Sequence, residues 1–554
     1  MNRALPARPL PAGLQRLPAG AALRSAAWIE RNAPRLLAGL LALYVLGFSL
    51  AWIYKYAHFG QGYDQVDFEQ AIWNTTQGRP FADSRFSFTD SVFGLDWMPL
   101  LGLFVPVYAL LPGAQALAVL QVIGTALGAV PIYRLAKVKL GTARHGLGFG
   151  LAWLLYPTVQ YSVMDPFQIR LFAVTALLWA LYFFETDRLG PFLLCTGIAV
   201  LARTDVALVA LMFGIYAALA RRGVRWTVAP LLLGGGYFLV VMTLIVPAFV
   251  HLPPVLCSGP VPPDQMDRAW PGSSNPNLGY YLHWGCTPTM IVTNLVKDPL
   301  YTLRYMLGDG HKWGYIAALL APFALLSLLA PGRLLLAAPI LGMNLIAWRG
   351  AQTDWRNHYG LLITVGVVAA AIAGYARLEA LILRWRSLRP DLEVTPAGLQ
   401  PRPAPTAADV VAETRRMIAW REGPLLALIA IALLVNGGLQ LLSDRLVVSR
   451  GESAARVAAA ERLIALVPPA ASVAASSFLA PHLLPRRDIY NFPPAPYSPY
   501  TLADAARPSY ILLDPRAQAL ADPAGQTALR QLRANPTWTL IRADQGFQLY
   551  GRTP

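Results

Sequence analysis

The strongest constraint on this chain is a recurrence of apolar blocks about as long as a bilayer is thick, with most of the charge confined to the segments between them. A hydrocarbon core of roughly 30 Å takes about 20 apolar residues in helical form. Only 14% of the 554 residues are charged and 55% are hydrophobic, for a mean hydropathy of +0.44. An ordinary soluble chain carries about 25% charged residues. A soluble enzyme, a disordered chain and a disulfide-rich secreted domain are thereby excluded. The chain reads as a polytopic α-helical membrane protein.

The net charge is +16, from 41 Arg and 5 Lys against 30 acids. Such a balance could signal nucleic acid, but the cations sit in short loops between apolar blocks, as the positive-inside rule expects of cytoplasmic loops. No nucleic-acid partner is therefore expected. Residues 1–35 hold Arg3, Arg8, Arg16, Arg24, Arg31 and Arg35 against Glu30 alone, which makes them a cytoplasmic N-terminal segment. No small-residue cleavage site follows the first block, so a signal peptide is not expected.

The first span is placed at 36–55, and the acids of 56–97 put the following loop outside. Block 98–111 has only 14 residues, about 21 Å as a helix, and reads as a juxtamembrane or re-entrant helix closing an outer region 56–113. Further spans are expected at 114–136, 146–163, 166–184, 190–202, 205–220, 227–249, 314–330, 333–348, 359–383 and 424–442. That makes eleven, with the N-terminus inside and the C-terminus outside, in a membrane domain 36–442. The pair 190–202 and 205–220 is short enough to be a broken hairpin around Arg203 and Asp205. Pro/Ala-rich 384–422 reads as a cytoplasmic linker.

Residues 250–312 form a large outer loop holding Cys257 and Cys286. On an oxidising face these are expected to pair, contributing roughly 3–4 kcal/mol on the chain-entropy estimate; two free thiols are the alternative. Residues 443–554 contain no span and combine a helical stretch, GESAARVAAAERLIALV, with strand-like runs and a hairpin in WTLIRADQGFQLYGR. They read as a small extracytoplasmic α/β domain.

Ionisable groups collected by side gather on the outer rim, where such residues mark function by default. Asp64 and Asp67 lie at i, i+3, sharing a face if YDQVDFEQ is helical, and Asp165 opens another span. Convergent carboxylates suit general-base chemistry on a hydroxyl; a solvated acidic loop is the plain alternative. Arg203 and Asp205 either pair with each other or hold a phosphate. Arg349, Arg356 and His358, in WRGAQTDWRNHYG, suit a phosphate joined to a sugar or lipid, or else an interfacial aromatic belt. The seven histidines show no zinc spacing, so no metal site is assigned.

The order of these features resembles the GT-C glycosyltransferase superfamily: one span, an acidic outer loop, a juxtamembrane helix with an aromatic-x-Pro signal (DWMPLLGLFVPVYALLPG), a second acid at a span entrance and an outward C-terminal domain. More narrowly, the chain resembles the bacterial predicted-membrane-protein family named domain of unknown function 2079. YDQVDFEQAIWNTTQGRPF, PVYALLPGAQALAVLQVIGTALGAVPIYRLA, LARTDVAL, NHYG, PHLLPRRDIYNFP and YILLD carry that likeness over nearly the whole chain.

The resemblance implies transfer of a sugar from a polyprenyl-phosphate donor to an acceptor on the outer face of a bacterial inner membrane. Asp64 matches the acid that acts as base or positions the acceptor, with Asp67 beside it and Asp165 as second acid. Arg203, Asp205, Arg349, Arg356, His358 and Asp96 are the substrate-binding candidates. The chain departs from the expected pattern in three places: Asp96 replaces a histidine, DPFQIR replaces acid-His-Pro, and Glu69 replaces an aspartate. Cofactor need is left open, a divalent metal included. The rival readings are a transporter or flippase for a lipid-linked or anionic solute, and a non-catalytic membrane scaffold.

Overall fold

The computed structural model describes residues 21–387, 392–395, 398–401, 424–440, 451–503 and 507–553. Among them, Ala27–Ala57, Ala114–Leu140, Val224–Ala248 and Ile363–Ile382 are long and apolar enough to cross a membrane. Leu189–Val200, Val206–Leu219, Pro331–Ile346 and Pro424–Gln440 are shorter apolar helices packed among them.

Charged loops far apart in sequence meet at one end of the bundle. Glu185 pairs with Lys139 at 2.6 Å and with Arg333, Arg222 pairs with Asp187, and the Glu30 carboxylate accepts from the backbone N–H of Ala143 and Arg144. The candidate site lies at the opposite end. Glycine permits a close helix contact: a Cβ on Gly234 would stand 2.3 Å from the Leu211 nitrogen.

Several elements depart from the sequence reading, each for a local reason. The first helix begins at Ala21, well before 36. Block 146–163 is two helices, Ala143–Leu154 and Pro157–Met164, because Pro157 has no N–H and forces Tyr156 out of helical geometry. Block 314–330 leaves its helix after Leu320, where Pro322 is followed by Ala324 and Leu325 in left-handed conformation. The region 250–312 is not all loop; it holds helices Pro288–Lys297 and Pro299–Leu307, each opened by proline and capped by Thr287 or Asp298. In 384–422, the preceding helix continues to Ser387 and an antiparallel hairpin follows, β1 (Leu392–Thr395) and β2 (Gly398–Pro401); the remainder of that segment lies outside the described residues.

The C-terminal domain opens with helix Ala454–Ile464. Its sheet comprises β3 (Val473–Ala475), β4 (Ile489–Asn491), β5 (Tyr510–Leu513), β6 (Trp538–Asp544) and β7 (Phe547–Arg552), in the order β4-β3-β5-β7-β6. The first three are parallel and β7 and β6 antiparallel. Alternation along β5 explains the layering. Ile511 and Leu513 face helix Pro523–Ala534 through Leu529 and Leu532, whereas Leu512 faces Ala459, Ala460 and Leu463. Sequence analysis missed β4 and helix Pro523–Ala534; three residues of strand carry no readable period, and the helix is polar on one side.

Phe59, Tyr63 and Val66, from the start of the first outer loop, are buried in the same cluster as Leu512 and Leu549. Burying such side chains contributes roughly 1.5–3 kcal/mol each. Hydrogen bonds fix the register: the Tyr63 hydroxyl donates to the Ile489 carbonyl at 3.0 Å, and Ser84 both donates to and accepts from Ile489. At the edge of this contact the Glu452 N–H donates to the His58 carbonyl at 2.8 Å, and Gly451, at φ +61°, passes so close that a Cβ would stand 2.6 Å from the His58 oxygen. Gly451→Val is therefore expected to destabilise the domain contact by about 1–3 kcal/mol, seen as a lower Tm. A serine or alanine should cost less than valine.

Candidate active site

The first outer loop supplies one wall. Helix Asp64–Thr76 places Asp64 and Asp67 on one face, and Arg85 binds both, at 3.7 Å and 2.5 Å. Asp67 and Arg85 are mostly buried, while the Asp64 side chain is 54% exposed. Asp64 is thus the carboxylate left open to a ligand, and Asp67 holds the guanidinium beside it. Glu69, on the next turn, points inward and accepts from Gln65 at 3.1 Å and from the Tyr108 hydroxyl at 3.0 Å. That last bond ties the short helix Phe104–Leu110 to the acidic loop, so both lie at the same end of the bundle.

The back of the cavity is a chain of alternating charges. Asp96 receives Arg203 at 2.8 Å together with the N–H groups of Trp97 and Thr204. Arg203 reaches Asp205 at 3.5 Å, and Asp205 binds Arg170 at 2.6 Å. Arg170 lies across the Tyr359 ring and donates to the His358 carbonyl. Burial and the neighbouring Arg170 and Arg203 push the His358 imidazole down to about 3, so it is neutral at physiological pH.

These walls enclose a cavity of about 290 Å³. Of the sequence candidates, Asp64, Asp67, Asp96, Arg203, Arg349 and His358 line it. Three do not. Asp205 lies behind Arg203. Asp165 sits 3.8 Å from His358 Nδ1, in a turn gripped by the first helix and the loop after it: Trp52 donates to its carbonyl, and Lys55 and Gln61 donate to that of Met164. Arg356 is taken up by Asp354, two residues away, through three bonds of 2.9–3.1 Å. Cys257 is joined to Cys286, at a Cα separation of 6.0 Å, beneath the loop that carries Trp270.

Arg349 differs from the other cations of the lining. Its carboxylate neighbour, Asp267, is 3.7 Å away and 83% exposed, so the pair is weakly held. Its guanidinium lies 5.0–5.7 Å from the ring centres of Trp348, Tyr280 and Trp270. Stacking orients it while leaving its N–H fork able to meet an anion. Among the described residues no group of three or more His, Cys, Asp or Glu is placed to hold a metal ion.

Tyr359, the aromatic neighbour of the candidate arginines in WRGAQTDWRNHYG, lines the cavity as well; Arg85, Gln168, Trp270, Tyr280 and Tyr497 also line it and were not selected from the sequence. Arg85 had a signal, being one of two cations in an otherwise acidic loop. The aromatics had none, since tyrosine and tryptophan are common wherever a chain meets a bilayer surface.

Comparison with known proteins agrees with this architecture. The family described as Predicted membrane protein (DUF2079) matches residues 55–549. The chain belongs to that family. The structure of ArnT from Cupriavidus metallidurans in the apo state is similar with a TM-score of 0.51 at 12% identity, over 93% of this chain and 98% of ArnT. The archaeal oligosaccharyltransferase AglB from Archaeoglobus fulgidus, in complex with an inhibitory peptide and a dolichol-phosphate, gives a TM-score of 0.41 at 12% identity, over 93% of this chain and 74% of AglB. The ArnT likeness shows that this DUF2079 chain shares the fold of that protein. None of the curated proteins matches its sequence.

Burial beside the site leaves a pH signature. It lifts Glu69 from the ordinary 4.5 to about 7. Between those values the folded chain holds a proton that the unfolded chain has lost, so stability falls as pH rises through the window. Glu69→Gln keeps an acceptor and a donor in place without the charge. The wild-type protein is expected to lose about 3 kcal/mol across that window relative to the variant, read as the pH dependence of Tm for the two proteins.

Proposed function

We propose that this protein is a membrane glycosyltransferase that moves a sugar from a polyprenyl-phosphate donor to an acceptor hydroxyl on the outer face of a bacterial inner membrane. The eleven-span topology, with N-terminus inside and C-terminal domain outside, belongs to this reading. The observation that carries it is the sharing of one cavity by an open carboxylate, Asp64, and a weakly neutralised cation, Arg349, with Arg203 and a neutral His358 between the charged walls. The GT-C-type fold supports it.

In this mechanism Asp64 takes the proton of the acceptor hydroxyl as its oxygen bonds to the anomeric carbon of the donor sugar. The bond from that carbon to the phosphate oxygen breaks, and its electron pair leaves with the polyprenyl phosphate. Arg349 and Arg203 meet the charge that develops on the leaving group. Arg85 and Asp67 position Asp64, and Asp165 positions His358.

The test uses membranes of a deletion strain carrying wild-type or variant protein and a radiolabelled polyprenyl-phosphoryl sugar. Asp64→Asn is expected to lower kcat by roughly 10²–10⁴-fold at unchanged expression, whereas Arg349→Ala mainly raises KM for the donor. Full activity of Asp64→Asn overturns the assignment of the base. Unchanged envelope glycans and glycolipids in the deletion strain overturn the enzyme.

A further inference from the structure

Three segments remote in sequence meet along one wall of the cavity: Phe86 from the first outer loop, Trp270 from the disulfide-closed loop and Tyr497 from the C-terminal domain. The Tyr497 ring lies 4.7 Å from that of Trp270 and 5.4 Å from that of Phe86, centre to centre. Its carbonyl accepts from the Ser87 N–H at 2.9 Å, so its backbone is pinned to the outer loop. Proline fills much of the surrounding run, NFPPAPYSPY, and the Tyr500 hydroxyl ties the far end to the Asn491 carbonyl at 2.7 Å. The domain thus projects one half-buried aromatic ring, rigidly held, into a cavity otherwise built by the bundle and the loops 56–97 and 250–312.

The position of this wall within the cavity gives it a role. Trp270 touches Arg349 at one end, 5.7 Å from the guanidinium to the ring centre. At the other end Arg85 lies 4.8 Å from the Phe86 ring, and Arg85 is the group that holds Asp64. The aromatic surface therefore runs from the phosphate-binding cation to the base. Ring faces bind the apolar C–H face of a sugar, while amides and carboxylates such as Asn277 and Asp64 suit its hydroxyls.

We propose that the Tyr497–Phe86 end of this wall is the acceptor subsite, that it takes a pyranose ring, and that the C-terminal domain selects the acceptor through Tyr497. The inference rests on the glycosyltransferase reading and specifies its second substrate. A donor sugar offers the same chemistry as an acceptor sugar, so the test must separate the two.

Full-length protein in nanodiscs is examined by saturation-transfer NMR with methyl glucoside, mannoside and galactoside, with sorbitol as control. Binding of decaprenyl phosphate is followed in parallel by thermal shift. At least one pyranoside is expected to receive saturation above sorbitol. Tyr497→Leu, which keeps apolar packing, should weaken that signal by about fivefold, while Tyr497→Phe retains it and both variants still bind decaprenyl phosphate. Arg349→Ala should lose decaprenyl phosphate and keep the pyranoside signal. Loss of both ligands in Arg349→Ala, with Tyr497→Leu unaffected, assigns the ring to the donor and overturns the proposal. Absence of any pyranoside signal while decaprenyl phosphate still binds overturns the subsite alone. Failure of both probes to bind wild-type protein overturns the glycosyltransferase reading as well.

Discussion

The end of this molecule that holds the cavity depends on the need to neutralise charges taken out of water. Removing one partner from a buried ion pair costs about 3–5 kcal/mol, because the remaining charge is stranded. Asp96, Arg203, Asp205 and Arg170 meet this demand as one continuous chain, in which the Asp96–Arg203 and Asp205–Arg170 contacts join different stretches of backbone. Asp96 precedes the short helix after the acidic loop, Arg203 and Asp205 form the turn between two helices, and Arg170 opens a third. The pairing that satisfies the charges therefore also fixes where these helix ends sit. Arg170 carries the same constraint on to the Tyr359 ring and the His358 carbonyl.

Against this frame the cavity keeps two charged groups only loosely compensated. Asp64 shares Arg85 with the closer Asp67, and Arg349 pairs with an exposed acid, Asp267. A site that must bind an anion and accept a proton needs groups whose charge is not already spent, and these two are placed to supply it. The C-terminal domain matters to both. It buries Phe59, Tyr63 and Val66, which lead into and begin the Asp64 helix, and it brings Tyr497 to the wall beside Arg85. It thus helps to set the position of the helix that carries the candidate base.

Much of this was legible in the chain. The length of block 98–111 led to a short helix, and Pro99–Leu110 is short, bonded through Tyr108 to the acidic loop. Candidates chosen by side alone included six residues of the cavity lining. The misses have physical causes. Arg356 looks like a phosphate ligand until Asp354 takes its guanidinium, and that choice depends on a turn that spacing does not reveal. Proline breaks at 157 and 322 split blocks whose hydropathy is continuous. Strand β4 is too short to show a period.

What the sequence by itself determined was segregation: apolar blocks demand a lipid core, arginine-rich loops demand one side, and acids with a few arginines are left for the other. Those are properties of composition along a line, and transfer free energy reads them directly. Which of the acids stays open, which arginine is left weakly paired, and which aromatic rings stand between them was decided only by the tertiary structure. Each of those outcomes depends on contacts between residues tens to hundreds of positions apart, as between Phe86 and Tyr497 or Asp165 and His358. Charge pairing and ring stacking act over a few ångströms, and only the folded chain brings such residues within that range.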